Sequence, residues 1–414
     1  MGSVYGNSIL NISAAAAADS TQGCFKERLG LIFWPCPTVL FGRECYLFRY
    51  PMNREEMWGV PGDAEWDVSN VLARRAWVLQ EQILSRRSII FSKDLLIWRC
   101  PTLSTNEKYP LGIPHAPNVW LDSHRFLQCV VHGITSLIPK ESMVDIYTCW
   151  YRIVEEFTSR NLTYEEDRLP AIAGIAKKFG RAVNDSYHAG LWRHDMIIGL
   201  LWRAARDAGT CTTRSARVPS WSWASINGGV TYSPLLMGGA YTARIHMSPL
   251  VDILDVSDPT TSEDHPNRVK LGQSLSLSGV IWEVTRVENE ESRLALVDNG
   301  LPVAHSIRDF FSDFRGFNRP DREFLVCLPA CVDHGWHPGI QESGELRKAL
   351  WRRSLETGID EYEQFNVIYC WILEAIEGNQ GTYSRVGLCR LGYHKTIEVS
   401  KMALFGERRS ITII

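Results

Sequence analysis

Gln80 and Glu81, beside Trp77 and Leu84, are the side chains here best placed to do chemistry. Their spacing puts all four on one face of a helix. An amide and a carboxylate next to an indole, close to a hairpin, could line a pocket. The competing reading is structural, with Glu81 paired to a nearby arginine and Gln80 capping a backbone group at a domain seam. That reading is preferred. Trp221 and Trp223 alternate along Arg217–Ile226 and could form an aromatic platform, although alternating tryptophans on a strand more often fill a core. His188 and His194 flank Trp192 with no further ligand in view, so they read as structural or surface residues and no metal site is expected.

Other chemistries find no support. The eleven cysteines contain no C-x-x-C, and Cys327 and Cys331 are the closest pair. Scattered buried thiols in a reducing compartment is the simpler reading. No G-x-S-x-G, papain-like or caspase-like surround occurs, and no G-x-x-x-x-G-K-[ST] loop. Gly228-Gly229 follows a strand but precedes no helix that could face a phosphate. No catalytic constellation rises above background.

The elements that must position these residues can be read in order. Arg74–Cys100 predicts a helix followed by a hairpin. Leu72, Ala76, Leu79 and Ile83 form one apolar stripe, Ser69 is a plausible N-cap, and Arg86-Arg87 suit the negative end of the helix dipole. Ser88–Ser92 and Leu95–Arg99 are strand-like, joined by Lys93-Asp94. Trp77 is expected to be buried between the helix and the hairpin or its neighbours. Before this unit, a helix end runs into a strand near Ile9–Ile12 and then into Ala14–Ala18. Val39–Phe41 and Tyr46–Phe48 suggest short strands. Downstream, helices are expected over Trp120–Leu137, over Ser142–Thr158, from a Thr163-x-x-Glu166 capping box through Pro170 to Gly180, and over Tyr187–Ala205. The period then changes to two, with strands expected over Val269–Leu277, Val280–Val287, Arg293–Val297, Phe324–Leu328, Asn366–Glu374 and Val386–Leu391. Asp255–Asn267 reads as an exposed loop and Glu342–Leu355 as the one helix in this region.

The chain has 414 residues, 45% hydrophobic and 22% charged, which suits two or three globular domains. A net charge of −3 gives no reason to expect nucleic acid or an anionic membrane as partner. No run of about 20 apolar residues suggests a membrane span. With no signal sequence at the N-terminus, a cytoplasmic protein is expected.

The pattern Arg75-Ala76-Trp77-Val78-Leu79-Gln80-Glu81-Gln82-Ile83-Leu84-Ser85, with Ile97-Trp98-Arg99-Cys100 after it, resembles the last motif of the fungal heterokaryon-incompatibility (HET) domain. Its motif residues here are Arg75, Trp77, Gln80, Glu81, Leu84, Trp98 and Cys100. Met1, Val4-Tyr5, Ile9–Ala15 and Gly23-Cys24-Phe25 are similar to the tail of the family's second motif. The segments SRNLTYEEDRLPAIAGIA, YHAGLW, GLLW and PSWSWAS are similar to regions downstream of that domain. The family's Y-x-x-L-S-Y-x-W-G and W-I-D-x-x-C-I-x-Q segments have no counterpart, so the chain reads as N-terminally truncated within the HET domain, which would leave an open sheet edge.

The resemblance implies non-self recognition and triggering of programmed cell death, through self-association or protein partners. It implies a relationship to Toll/interleukin-1 receptor (TIR) domains, some of which cleave NAD with an acidic residue on a helix. The expected fold is α+β in several parts: a partial α/β, TIR-like HET half over 1–100, a linker over 101–140, a helical region over 141–208 and a β-rich domain over 209–414. A signalling and interaction module is the leading functional expectation, with no cofactor. A degenerate or truncated NAD-cleaving enzyme, with NAD as substrate and Glu81 as a fallback carboxylate candidate, is the alternative.

Overall fold

The computed structural model describes residues 2–25, 36–47, 71–93, 95–107, 123–134, 146–205, 215, 217–232, 247–257, 273–286, 294–298, 301–307, 309–312, 325–333, 367–391 and 407–414. Ser69, Val144 and Glu342–Leu355 lie outside them. The chain is mixed α and β and falls into two compact units. One comprises Met1–Lys140 with Arg160–Asn184. The other comprises Glu141–Ser159 with Asp185–Ile414.

The first unit is built on a four-stranded sheet, in the order Asn11–Ser13, Ser88–Phe91, Leu96–Arg99, Ser104–Asn106. Its first pair is parallel, with Ile12 opposite Ile89, and the other two pairs are antiparallel. The hairpin Ser88–Phe91 to Leu96–Arg99 falls where the change of period put it. Ser92 closes its turn by exchanging hydrogen bonds with Leu95. Helices Gly2–Gly6, Ala76–Leu84, Ser123–Val131 and Pro170–Val183 belong to the same unit. A further short hairpin pairs Cys36–Leu40 with Arg43–Leu47.

The Ala76–Leu84 helix buries the stripe read from the sequence, with Ala76, Leu79 and Ile83 fully enclosed. Its start differs from expectation. Arg75 is the N-cap residue, in extended conformation and with no side-chain cap. Beyond the C-terminus the arginines are exposed, and carbonyls of the last turn are satisfied by Ser85 and by Gln128 of another helix. Ser85 Oγ donates to Glu81 O at 2.7 Å, and Gln128 Nε2 donates to the carbonyls of Gln82 and Ser85 at 3.0 and 3.2 Å. Pro170 sits in the first turn of its helix as expected. The Thr163-x-x-Glu166 box does not form. Glu165–Asp167 is a 3-10 turn with Tyr164 at its N-cap and no side-chain cap.

In the second unit, Ile146–Ser159 is a helix whose Tyr151, Val154 and Phe157 are buried. The expected helix over Tyr187–Ala205 is overturned. Tyr187–His188 and Leu191–Trp192 pair as a hairpin, followed by a single helical turn, Met196–Gly199. Ala189 and Gly190 hold φ of 44° and 101°, which a helix cannot contain. A Cβ at Gly190 would stand 2.4 Å from Trp223 Nε1, so the turn also depends on the close approach of that indole.

The C-terminal region is β-rich as read. Among the described residues its main sheet has eleven strands. The longest path runs Asp252–Ser257, Ser274–Val280, Arg408–Ile413, Thr382–Leu391, Val367–Ala375, Leu325–Asp333, Trp282–Arg286, Leu294–Asp298, Leu301–Ile307. All pairings but one are antiparallel; Thr382–Leu391 runs parallel to Arg408–Ile413. Asp255–Ser257, expected as loop, is the end of a strand. Ser274–Val280 alternates half-exposed serines with buried Leu275 and Leu277. Ile368–Leu373 is buried at every residue, the mark of a strand covered on both faces. No helix among the described residues is long and apolar enough to cross a membrane.

Candidate functional site

The helix Ala76–Leu84 divides its polar residues between two tasks. Gln80 is buried, and its Oε1 accepts the backbone N–H of Gly174 at 2.7 Å. The two helices meet so closely there that a Cβ on Gly174 would lie 2.3 Å from that oxygen. Leu84 is fully buried beside Gly174 and Gly2. The structural role weighed for Gln80, capping a backbone group, is the one it fills. Gln82 is also buried, and its Oε1 accepts from Arg160 at 3.4 Å.

Glu81 is the exception. It is half-buried, and the Tyr5 hydroxyl, from the Gly2–Gly6 helix, donates to its carboxylate. Burial holds the Glu81 carboxyl above its ordinary value. The hydrogen bond from Tyr5 and the charge of Arg75 act in the opposite direction without cancelling it. Tyr5 is pushed up to about 12, first by burial and then by its bond to Glu81. A half-buried carboxyl beside a phenol and an exposed arginine offers donors and an acceptor to a polar ligand. Arg75, Glu81 and Tyr5 form the candidate site.

The other motif residues go elsewhere. Trp77 is not enclosed between helix and hairpin. It is half-buried, and its Nε1–H reaches Asp167 Oδ2 at 3.4 Å, because the helix turns this face toward the Glu165–Asp167 turn. Trp98 is half-buried on the hairpin, opposite Ile89 and Thr105. Cys100 follows, its Sγ 3.1 Å from Thr102 Oγ1. Burial opposes ionisation of this thiol, but hydrogen bonds from Thr102, Trp98 and Leu103 outweigh it and hold Cys100 below the ordinary thiol value.

His188 and His194 do not form a site. His194 Nδ1 meets Asp185 at 2.8 Å with its side chain 72% exposed, and His188 Nε2 lies 3.0 Å from Ser186 Oγ. Trp221 and Trp223 are buried core residues, but not on an alternating strand. Trp223–Ser225 is a 3-10 turn capped by Ser222, whose Oγ accepts from Ala224 N–H, and Ser220–Ile226 is buried throughout. Trp223 Nε1 donates to Gly190 O at 2.9 Å, and Trp202 Nε1 to Trp221 O at 3.0 Å. Arg385 completes this core. Its guanidinium donates to the carbonyls of Leu200 and Trp202 and lies 3.7 Å over the Trp202 ring.

Sequence reasoning missed Tyr5 as a partner of Glu81, Gly174 as the seat of Gln80, and Arg385. Tyr5 stood in a quoted motif, but nothing local tied it to a residue 76 positions away. Comparison of the chain with family models, with curated proteins and with solved structures returns no match.

Proposed function

We propose that this chain is a HET-domain protein, a cytoplasmic signalling and interaction module of fungal non-self recognition that triggers programmed cell death through self-association and protein partners. The observation that carries the reading is the motif Arg75 to Cys100. Its residues occupy one continuous helix and hairpin, in which Gln80 and Leu84 seat the helix and Arg75, Trp77, Glu81 and Trp98 stay accessible to a partner. The test is genetic. Deleting the gene from its host should restore viable hyphal fusion with at least one strain that is incompatible with the parent. Unchanged incompatibility with every tester overturns the reading.

A second reading, a TIR-like NAD-cleaving enzyme, is supported by two features. Asn11–Ser13 pairs in parallel with Ser88–Ile90, and the helix before that strand carries the half-buried Glu81 against Tyr5. It is tested by incubating the purified chain with NAD and measuring nicotinamide. Under the first reading none is released. Release that Glu81→Gln abolishes would favour the enzyme.

A further inference from the structure

Cys327, Cys370 and Cys389 stand on three neighbouring strands of the large sheet, far apart in sequence and together in space. Strand Val367–Ala375 lies between the other two. Cys370 is directly opposite Cys389. Cys327 is opposite Ile372, two residues along from Cys370 and therefore on the same face. The three Sγ atoms all lie within 4.8 Å of one another, and all three residues are fully buried.

Cys331 shows that this convergence depends on register. Simple alternation would place it on the same face as Cys327. The register shift between Pro329 and Cys331 instead puts Cys331 opposite Tyr369, on the other face.

We propose that Cys327, Cys370 and Cys389 form a trigonal all-sulfur site for a soft monovalent cation, copper(I). Three sulfurs each about 2.3 Å from a common centre lie about 4 Å apart, inside the spread these three occupy. Thiolates select thiophilic ions, copper(I) and zinc foremost. Zinc wants a fourth ligand, from the protein or from solvent. No fourth Cys, His, Asp or Glu joins the cluster among the described residues, and complete burial leaves no solvent face. Copper(I) is content with three sulfurs.

The thiolate, not the thiol, is the ligand, so each of the three thiols that ligates releases its proton to solvent as the metal enters.

The test uses the full chain, expressed in copper-supplemented cells and, separately, titrated anaerobically with copper(I) against a chelator. One copper per chain is expected, with an X-ray absorption spectrum fitted by three sulfur neighbours. Cys327→Ala, Cys370→Ala and Cys389→Ala should each weaken binding by at least roughly 100-fold, since loss of an outer-shell partner alone costs about 10–100-fold. Cys331→Ala should leave stoichiometry and spectrum unchanged. Should the cluster variants fail to fold, the spectrum of the unaltered chain still decides. No tight copper, a first shell containing nitrogen or oxygen, preferential retention of zinc, or a Cys370–Cys389 disulfide in chain taken from the cell would each overturn the proposal.

Discussion

The helix–hairpin of Arg74–Cys100 and the Trp–Arg core around Arg385 use polar groups in opposite ways. In the first, partners lie mostly on neighbouring elements and several side chains stay half-exposed: Trp77, Glu81, Trp98 and Cys100. In the second, Trp202, Trp221, Trp223 and Arg385 are sealed from solvent, and the donors of Trp202, Trp223 and Arg385 are matched to backbone carbonyls of other segments. A half-exposed polar group costs little to leave idle and is free to meet a partner. A buried one must be satisfied or the fold suffers. The first region keeps polar groups within reach of solvent, and the second encloses them for structural specificity.

The largest expected effect is at Arg385. Arg385→Leu strands the carbonyls of Leu200 and Trp202. Hydrogen bonds to a charged group contribute about 1.5–3 kcal/mol each, so losing two should cost roughly 3–6 kcal/mol. Denaturant unfolding followed by tryptophan fluorescence measures it. A loss below about 1 kcal/mol, the scale of one neutral hydrogen bond, would erase the contrast between the regions.

Trp77→Ala should cost less, roughly 1–2 kcal/mol, because a half-buried indole gives up only part of the value of a fully buried aromatic. The same unfolding experiment ranks it against Arg385→Leu. If Trp77→Ala proves the more damaging, the motif helix is the structural keystone and its accessible face is no interaction surface.

Glu81→Gln sharpens the comparison through pH. Burial raises the Glu81 carboxyl in the folded state, so its contribution to stability is full below the unfolded carboxyl value and is lost as pH rises through the folded one. The amide carries no such loss. The variant should therefore match the parent in acid and gain on it as pH climbs toward neutrality, read as a widening difference in melting temperature. A difference that stays flat with pH would mean that Glu81 is fully hydrated.

Legibility in the sequence followed the range of the interactions. The hairpin Ser88–Phe91 to Leu96–Arg99, the helix Ile146–Ser159 and the main C-terminal strands could be read because their periods are local. Tyr187–Ala205 could not. Its apolar residues suit a helix, but the positive φ of Ala189 and Gly190, held by Trp223, makes a hairpin. Arg217–Ile226 failed for a similar reason: Ser222 caps a 3-10 turn where alternation suggested a strand.

By itself the sequence determined the periods of the hairpin Ser88–Phe91 to Leu96–Arg99, of the helix Ile146–Ser159 and of the main C-terminal strands, which apolar stripe the Ala76–Leu84 helix would bury, and that Gln80 and Glu81 were the polar residues to watch. Only the tertiary structure separated those two, sending Gln80 to the Gly174 N–H and Glu81 to Tyr5. It alone gathered Cys327, Cys370 and Cys389 while turning Cys331 away. The physical reason is the same in each case. Period depends on the next few residues and is written along the chain. Partnership depends on strand register and helix approach, which are set by packing between segments tens to hundreds of residues apart.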